Sequence, residues 1–322
     1  MDNTLYLGVD LGRSTRIAIV DTAGKIIKQD RVPTELVNGR TLVDGLIDLI
    51  KKTRADAPLP IAAVGLAVSG LVDYQAQQVK VLPNLPDVSN INVHHEIVQA
   101  IGLPVIIDND ANAATYGEWR CGAALNMNDV IYIYLGTGIG SGLVLNGQLQ
   151  HGVRGYAGEF GHMKIGSQDL DCSCGSQGCL ETIASGPNIV RRTREQLFTD
   201  PCFATESLLA SQMKNKLTCE DIVEAASKGD KFARAILLET ANYLGLTIAN
   251  VINLLNLEIV VLGGPVMGAG EFLITAIEQA ANKYSFAHLL ADCKITNGGL
   301  GNDAGVIGAA MMAYDVETAM RQ

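Results

Sequence analysis

The chain contains the same strand–turn–strand pattern twice, and this duplication limits its possible folds more than any other feature. The first copy is "LYLGVDLGRSTRIAIVD", near the N-terminus, and the second is "DVIYIYLGTGIGSGLVLNG", which begins at Asp129. In each copy an apolar run leads into a turn of small residues and then into another apolar run, which predicts a β-hairpin. Elsewhere apolar strands alternate with segments of helical spacing, a pattern typical of α/β architecture.

The repetition predicts two related α/β lobes with a cleft between them. A chain of 322 residues exceeds one ordinary hydrophobic core. Because no Pro/Ser-rich linker separates the halves, the pattern alone sets the boundary. Residues 1–117 are expected to form a small lobe, and residues 118–300 a large one. The last helix, within residues 301–322, is expected to pack back on the small lobe.

Composition and charge exclude several classes of protein. Lys and Arg total 24 against 34 acidic residues, which gives a formal net charge of −10. No basic run is present, so we expect no nucleic-acid partner. The start "MDNTLYLGVDLG" lacks a signal peptide, and no run of about 18 apolar residues occurs, which indicates a cytoplasmic protein without a membrane partner. Seven cysteines, an odd number, argue against a disulfide framework.

The two turns are candidate phosphate sites, although glycine turns are common in α/β proteins and neither is a P-loop. Glycines let backbone N–H groups approach an anion, while hydroxyls and a carboxylate would serve phosphate and Mg²⁺. In the first turn Ser14 and Thr15 supply the hydroxyls, and Asp10 supplies the carboxylate. A third turn, "LGGPVMGAG", would let an adenosine lie against backbone. The candidate nucleotide contacts are Asp10, Gly12, Ser14, Gly136, Thr137, Gly138, Gly263 and Gly264.

The segment "VIIDNDANAATYGE" places Asp110 where a strand meets a helix, a position at which α/β folds expose chemistry. Asp110 would accept the proton of an attacking hydroxyl group, and Asn109 would hydrogen-bond a neighbouring hydroxyl. The alternative is a helix N-cap, since Asp and Asn are favoured there. Both roles can coexist.

Three of the seven cysteines lie within eight positions, downstream of "GYAGEFGHMKI". Together with His162, the thiols of Cys172, Cys174 and Cys179 suit a closed tetrahedral structural zinc site. A disulfide, or four unrelated residues, are the alternatives. Glu159 and Glu181 flank the set, and the metal would hold these acids in place. Carboxylates, an amide and an imidazole suit a polyhydroxylated ligand such as a sugar. Together with phosphate-binding turns and a general base, such a pocket predicts a sugar kinase.

These segments resemble the ROK family of bacterial sugar kinases and repressors, within the actin/hexokinase ATPase superfamily. The resemblance rests on "GVDLG", "NDANAA", "LGTGIGSG", "GEFGHMKI", "CSCGSQGCLETIASG" and "VVLGGPV". It implies a duplicated actin-like (ribonuclease H-like) α/β fold, ATP with Mg²⁺, Asp110 as general base and zinc on the Cys₃His set. It also implies a homodimer or homotetramer. The implied sugar contacts are Asn109, Glu159, His162, Glu181, Gly70 and Asn84.

Glucose is the leading substrate, because both Glu159 and Glu181 are retained as in glucokinases of the family. Other hexoses and N-acetylhexosamines, namely N-acetylglucosamine, N-acetylmannosamine, fructose and mannose, remain alternatives. Two departures matter: Arg13 replaces a glycine of the usual first turn, and Ser69 stands where proline is common. These departures leave a non-catalytic sugar-sensing regulator open, although the first strand begins at about residue 5 and leaves no room for an N-terminal DNA-binding domain.

Overall fold

The chain divides into two compact units in the computed structural model. The structure describes residues 4–12, 14–34, 42–82, 92–165, 170–199, 206–210 and 217–322. Unit 1 comprises residues 1–128, 142–158 and 299–322, and unit 2 comprises residues 129–141 and 159–298. The predicted boundary after residue 117 lies inside a helix, and unit 1 continues to Asn128 before the chain first leaves it.

Twelve strands are present in the described residues. They are β1 Leu5–Leu11, β2 Ser14–Val20, β3 Ile26–Pro33, β4 Ile61–Val68, β5 Leu71–Asp73, β6 Gln78–Val81, β7 Val105–Asn109, β8 Val130–Leu135, β9 Ile139–Leu145, β10 Gln148–Leu149, β11 Ile259–Gly263 and β12 Lys294–Asn297. The sheet orders are β3-β2-β1-β4-β7 and β10-β9-β8-β11-β12, with a separate β5-β6 hairpin. In the first sheet, β1 pairs antiparallel with β2 and parallel with β4, which confirms the predicted first hairpin.

Ten α-helices accompany these strands in the same described ranges. They are α1 Leu42–Ala55, α2 Val93–Ile101, α3 Asp110–Cys121, α4 Glu181–Ala184, α5 Gly186–Thr199, α6 Cys219–Ser227, α7 Lys231–Leu255, α8 Glu271–Tyr284, α9 Ala287–Ala291 and α10 Ala304–Arg321. Short 3₁₀ turns cover Phe160–His162, Pro265–Ala269 and Gly301–Asp303.

Both faces of the central strands of the unit 1 sheet are buried, whereas the edge strand β3 is mostly exposed. On one face Leu7 and Val9 of β1 pack with Leu46 of α1 and Ile97 of α2. On the other face Tyr6 belongs to a second core cluster, which includes much of α10. A sheet covered on both faces accounts for the nearly continuous apolar runs of β1 and β4.

Glycines allow α10 to lie directly on this second face. A Cβ at Gly8 would come within 1.9 Å of the Val306 carbonyl oxygen, and one at Gly65 within 1.8 Å of the Ala309 carbonyl oxygen. Real Cβ atoms essentially never approach so closely, so the helix packs backbone to backbone. The C-terminal helix therefore belongs to unit 1, and residues beyond Gly299 complete its core.

Unit 2 contains the longest helix, α7, which packs against α8. A Cβ at Gly245 would lie 2.4 Å from the Ala280 Cβ, so these two helices approach closely. In length and composition α7 could also cross a membrane, but 61% of its most apolar window is buried inside the protein. Its apolar character is therefore explained by its place in the core.

Candidate active site and metal centre

Asn109 and Asp110 stand at the junction where β7 ends and α3 begins, in unit 1. Asn109 is the helix N-cap, and its side-chain oxygen accepts the backbone N–H groups of Ala111 and Asn112 at 2.8 and 3.2 Å. Its amide nitrogen donates to the Gly70 carbonyl at 3.0 Å. The capping alternative therefore applies to Asn109, which leaves the Asp110 carboxylate to interact with other groups.

The Asp110 carboxylate is held from two sides. One oxygen accepts the backbone N–H of Ala111 at 3.0 Å, and the other accepts the hydroxyl of Ser69, which follows β4. Burial raises the pKa of Asp110, while the Ser69 hydrogen bond opposes that rise. A carboxylate with a raised pKa is a stronger base than a solvated one, provided that it is ionised at the working pH.

Asp10, at the end of β1, is a second carboxylate in the same unit. Burial, together with the negative charge of Asp110, raises the pKa of Asp10 to about 6. Arg16, directly opposite on β2, lies 3.8 Å from Asp10 and partly offsets the rise. A bound cation would favour the charged form of such a buried carboxylate. Asp10 is therefore a suitable oxygen donor for Mg²⁺.

The first turn differs from the prediction at Thr15. Thr15 is fully buried, and its hydroxyl lies 3.1 Å from that of Thr34, so it faces the core and not a ligand. The reason is strand alternation, because Thr15 shares its face of β2 with Ile17 and Ile19. Ser14 is half-buried and accepts the Arg31 Nε–H at 2.9 Å. Arg13 lies outside the described residues.

The second turn, in unit 2, follows β8 and is held by Glu181. Glu181 accepts the backbone N–H of Ile139 at 2.8 Å, and a Cβ at Gly138 would lie 2.7 Å from the same carboxylate oxygen. Thr137 is exposed, whereas the Gly136 carbonyl accepts the N–H of Gly186 at 2.8 Å. A side chain at position 138 would therefore have to displace the Glu181 carboxylate from this turn.

The third turn follows β11 and packs against β8. A Cβ at Gly263 would lie 2.2 Å from the Tyr132 hydroxyl, and one at Gly264 would lie 2.4 Å from the Leu135 carbonyl oxygen. Gly264 also has a φ of +93°, which only glycine adopts readily. Internal packing thus requires both glycines, and a nucleotide contact at either one stays a prediction.

The four predicted metal ligands converge in unit 2. One donor atom from each of His162, Cys172, Cys174 and Cys179 lies within 4.8 Å of the others. The Cys174 and Cys179 sulfurs are 3.7 Å apart, and Cys172 Sγ is 3.5 Å from His162 Nδ1. Ligands at zinc distances of about 2.0–2.3 Å in a tetrahedron lie about 3.3–3.8 Å apart, so these residues fit zinc.

A tight turn brings the thiols together. Gly175, with a φ of +84°, donates its N–H to the Cys172 carbonyl at 3.0 Å, and Asp171 bridges to Gln177 across the turn. Burial raises the pKa of Cys172 to about 11. A metal that binds this sulfur as a thiolate therefore has to displace its proton.

Two charged side chains, Lys164 and Glu159, lie against this cluster. Lys164 Nζ is 3.0 Å from Cys179 Sγ and 2.6 Å from Ser176 Oγ. His162 points its second ring nitrogen, Nε2, toward Glu159 at 3.7 Å. The imidazole therefore has one nitrogen toward the thiols and the other toward Glu159, a predicted sugar contact.

Sequence reasoning missed three contacts, one in unit 2 and two in unit 1. Lys164 was not singled out, although it lies two residues after His162. Ser69 was noted only as a departure from the family, yet its hydroxyl binds Asp110. The partnership of His151 with Asp108, at 2.6 Å, joins residues 43 positions apart and left no local signal. Asn84, a predicted sugar contact, lies outside the described residues.

The fold defines the class of protein. Each of the two α/β units contains a strand–turn–strand segment with glycine in its turn, and this is the duplicated fold of actin-like ATPases, which confirms the predicted fold class. The family follows from comparison with known proteins: the model of the ROK family matches residues 6–316, so the chain belongs to that family. The resemblance inferred from the motifs is thereby confirmed.

Individual relatives differ in what they do. A glucokinase of Halalkalibacterium halodurans is 34% identical, over 100% of this chain and 98% of its own. A xylose repressor of Caldicellulosiruptor bescii is 31% identical, over 95% of this chain and 77% of its own. A ROK glucokinase structure from Streptomyces griseus, in complex with glucose and AMPPNP, matches with a TM-score of 0.82 and 33% identity, covering 97% of this chain and 99% of that one.

Proposed function

We propose that the protein transfers the terminal phosphoryl group of ATP to a hydroxyl group of a hexose, with glucose as the leading substrate. The observation that carries the proposal is the Asp110 carboxylate, buried at a strand–helix junction with a raised pKa beside a second carboxylate, Asp10. Full-length similarity to glucokinases supports the same reaction.

Unit 1 would supply the base and the magnesium ligand. Asp110 takes the proton of the attacking hydroxyl, because its raised pKa makes it a competent acceptor. One amide hydrogen of Asn109 serves Gly70, which leaves the other for a neighbouring sugar hydroxyl. Asp10 would hold Mg²⁺ directly or through water, and the ion would neutralise charge on the phosphates.

The Cys₃His cluster of unit 2 would hold the structural zinc. Zinc would take His162 through Nδ1, and the opposite ring nitrogen would stay directed at Glu159 and the sugar. Fixing the imidazole in this way sets the tautomer that a hydroxyl group meets. Glu159, His162, Glu181 and Gly70 remain proposed sugar contacts, and the glycine turns with Gly12, Ser14 and Thr137 remain proposed nucleotide contacts.

The reaction is tested with a panel of hexoses and N-acetylhexosamines in the presence of ATP and Mg²⁺, with ADP release as the readout. We expect turnover, fastest with glucose. A preference for mannose, fructose or an N-acetylhexosamine would keep the reaction class and correct the substrate. No ADP release with any sugar would overturn the proposal.

The base is tested by Asp110→Asn. The amide cannot accept the hydroxyl proton, so we expect kcat to fall by roughly 10²–10⁴-fold, while glucose binding measured by calorimetry largely survives. Asp56→Asn is the matched control, because Asp56 is an exposed acid paired with Lys28. An Asp110→Asn variant with unchanged kcat would remove the assignment.

A sugar-sensing regulator is the second candidate, because the xylose repressor is nearly as similar as the glucokinase. Such a protein would bind sugar without consuming ATP, so binding with no ADP release would favour it. A cytoplasmic location, the absence of a nucleic-acid partner and a homodimer or homotetramer stay predictions.

A further inference from the structure

A buried carboxylate lies two residues before the proposed base. Asp108, in β7, is only 2% exposed. One of its oxygens accepts the backbone N–H of Asn109 at 2.7 Å and the side-chain amide of Asn112 at 3.0 Å, and the other lies 2.6 Å from His151 Nε2. A carboxylate has enough lone pairs for all three partners at once, and hydrogen bonds of this kind offset the cost of burying a polar group.

His151 is itself held in one orientation. Its ring stacks on Tyr74, with centroids 3.7 Å apart and planes inclined by 15°. Tyr74 lies in the turn between β5 and β6, and burial together with the Asp108 charge raises the pKa of its hydroxyl. The stacking leaves His151 Nε2 directed at Asp108.

Asp108 in turn fixes both sides of Asp110. Asn109 is the cap of α3, and Asn112 lies in its first turn, so the two donors on Asp108 stand before and after Asp110 in the chain. Movement of Asp108 would shift the start of α3, and with it the direction of the Asp110 carboxylate. The Asp110 carboxylate is otherwise held by the Ser69 hydroxyl, the backbone N–H of Ala111 and the side chain of Asn109.

The chain segment that carries His151 also packs on α3. A Cβ at Gly142 would lie 2.3 Å from Thr115 Oγ1 and 3.0 Å from Asn112 Oδ1. Residues 142–158 therefore belong to unit 1 by contact, although the chain before and after them belongs to unit 2. His151 joins this segment to the strand end that bears the proposed base.

We propose that His151 is a positioning residue for phosphoryl transfer: by binding Asp108 it fixes the Asn109–Asp110 junction in the direction that the reaction requires. The inference rests on the proposed function. It assigns His151 no contact with substrate. If the contact between His151 and Asp108 were purely structural, breaking it would lower stability but would leave kcat intact in the molecules that remain folded.

Two substitutions separate the hydrogen bond from the ring stack. His151→Phe keeps a ring on Tyr74 but loses the donor, whereas His151→Gln keeps an amide hydrogen near the position of Nε2 but loses the ring. For His151→Phe we expect kcat to fall roughly 10- to 100-fold, as small misplacements of reacting groups do, with the KM for ATP within about twofold of wild type. For His151→Gln we expect recovery of most of kcat.

Urea unfolding of both variants measures stability, which is the property that a purely structural role of His151 would change. Loss of kcat in His151→Phe but not in His151→Gln, at similar unfolding midpoints, supports positioning. Equal kcat in His151→Phe and wild type, or kcat losses that follow the unfolding midpoints in both variants, overturns it. If His151→Phe does not fold, His151→Asn, whose amide reaches less far, takes its place with the same expectation.

The two proposals fail differently. If wild type releases no ADP with any sugar, the proposed function fails and the role of His151 fails with it. If wild type is active and removal of the His151 donor leaves kcat unchanged, only the positioning role is lost.

Discussion

At the scale of single residues, opposite influences act on the pKa values of Asp10 and Asp110, the proposed magnesium ligand and the proposed base. Burial favours the neutral acid at both residues, while Arg16 favours the charged form of Asp10 and Ser69 favours that of Asp110. The balance of these influences sets the pH at which each group can act, so both groups can be tested by changing one partner at a time.

Ser69→Ala removes the hydroxyl that stabilises the ionised Asp110. Because that hydrogen bond lowers the Asp110 pKa, its loss should raise the pKa further and move the acid limb of the kcat profile to higher pH. The profile is measured by ADP release between pH 5 and pH 9. Ser69→Thr keeps the hydroxyl and should leave the limb in place, whereas an unmoved limb in Ser69→Ala would contradict the assigned contact.

Asp10→Asn should stabilise the ligand-free protein while it weakens Mg²⁺-dependent activity. The folded state raises the Asp10 pKa from 3.8 to about 6, so it holds the proton more tightly than the unfolded chain does. The stability that the folded state gains from binding this proton is therefore full below pH 4 and is lost as the pH rises to about 6. Above that pH the substitution should add about 3 kcal/mol to the unfolding free energy, since the shift spans about two pKa units.

Chemical denaturation of wild type and Asp10→Asn between pH 4 and pH 8 measures this difference. The gap between the two should open across pH 4–6 and stay constant above it. A gap that is independent of pH would show that Asp10 ionises as easily in the folded protein as in the unfolded chain.

At the scale of single elements, the metal loop shows what sequence spacing can and cannot predict. The spacing of His162 and the three cysteines predicted the donor set, because the ligands of one metal on one loop lie close in sequence. The contact of Lys164 with Cys179 depends on the bridge that pairs these two residues across the loop. A pairing of that kind has no signature in the sequence.

The same limit explains the other differences in unit 1. Apolar periodicity located β1, β4, β7 and α10, because their patterns follow burial directly. The hydroxyl of Thr15 was expected at a phosphate although its alternation with Ile17 already placed it in the core. The His151–Asp108 contact is a product of tertiary packing between distant segments, and only the folded chain brings it together.

The metal loop should contain about one zinc ion per chain by elemental analysis, and stripping it should raise the KM for sugar more than the KM for ATP.

Lys164→Met removes a positive charge that lies beside Cys179, so zinc should bind roughly 10-fold more weakly, measured by competition with a chromophoric chelator. Lys228→Met is the control, since Lys228 pairs with Glu224 on α6 far along the chain. Equal zinc retention in the two variants would remove Lys164 from the site.

At the scale of the whole molecule, unit 1 is assembled from three separate stretches of chain. Residues 1–128 supply the sheet and α1 to α3, but Gly8 and Gly65 of that sheet are covered by α10, which the chain reaches only after completing unit 2. Without α10, the apolar face that holds Tyr6 and Ala67 would be open to water.

We therefore expect residues 1–128 expressed alone to show no cooperative thermal unfolding, since one of the two core layers of the sheet is missing. Joining residues 142–158 and 299–322 to that fragment by flexible linkers should restore a cooperative transition, followed by circular dichroism. In the joined fragment, Gly65→Val should abolish the transition again, because any Cβ there meets the Ala309 carbonyl within 1.8 Å. A cooperative transition in residues 1–128 alone would mean that the first sheet is stable without the helix that returns to cover it.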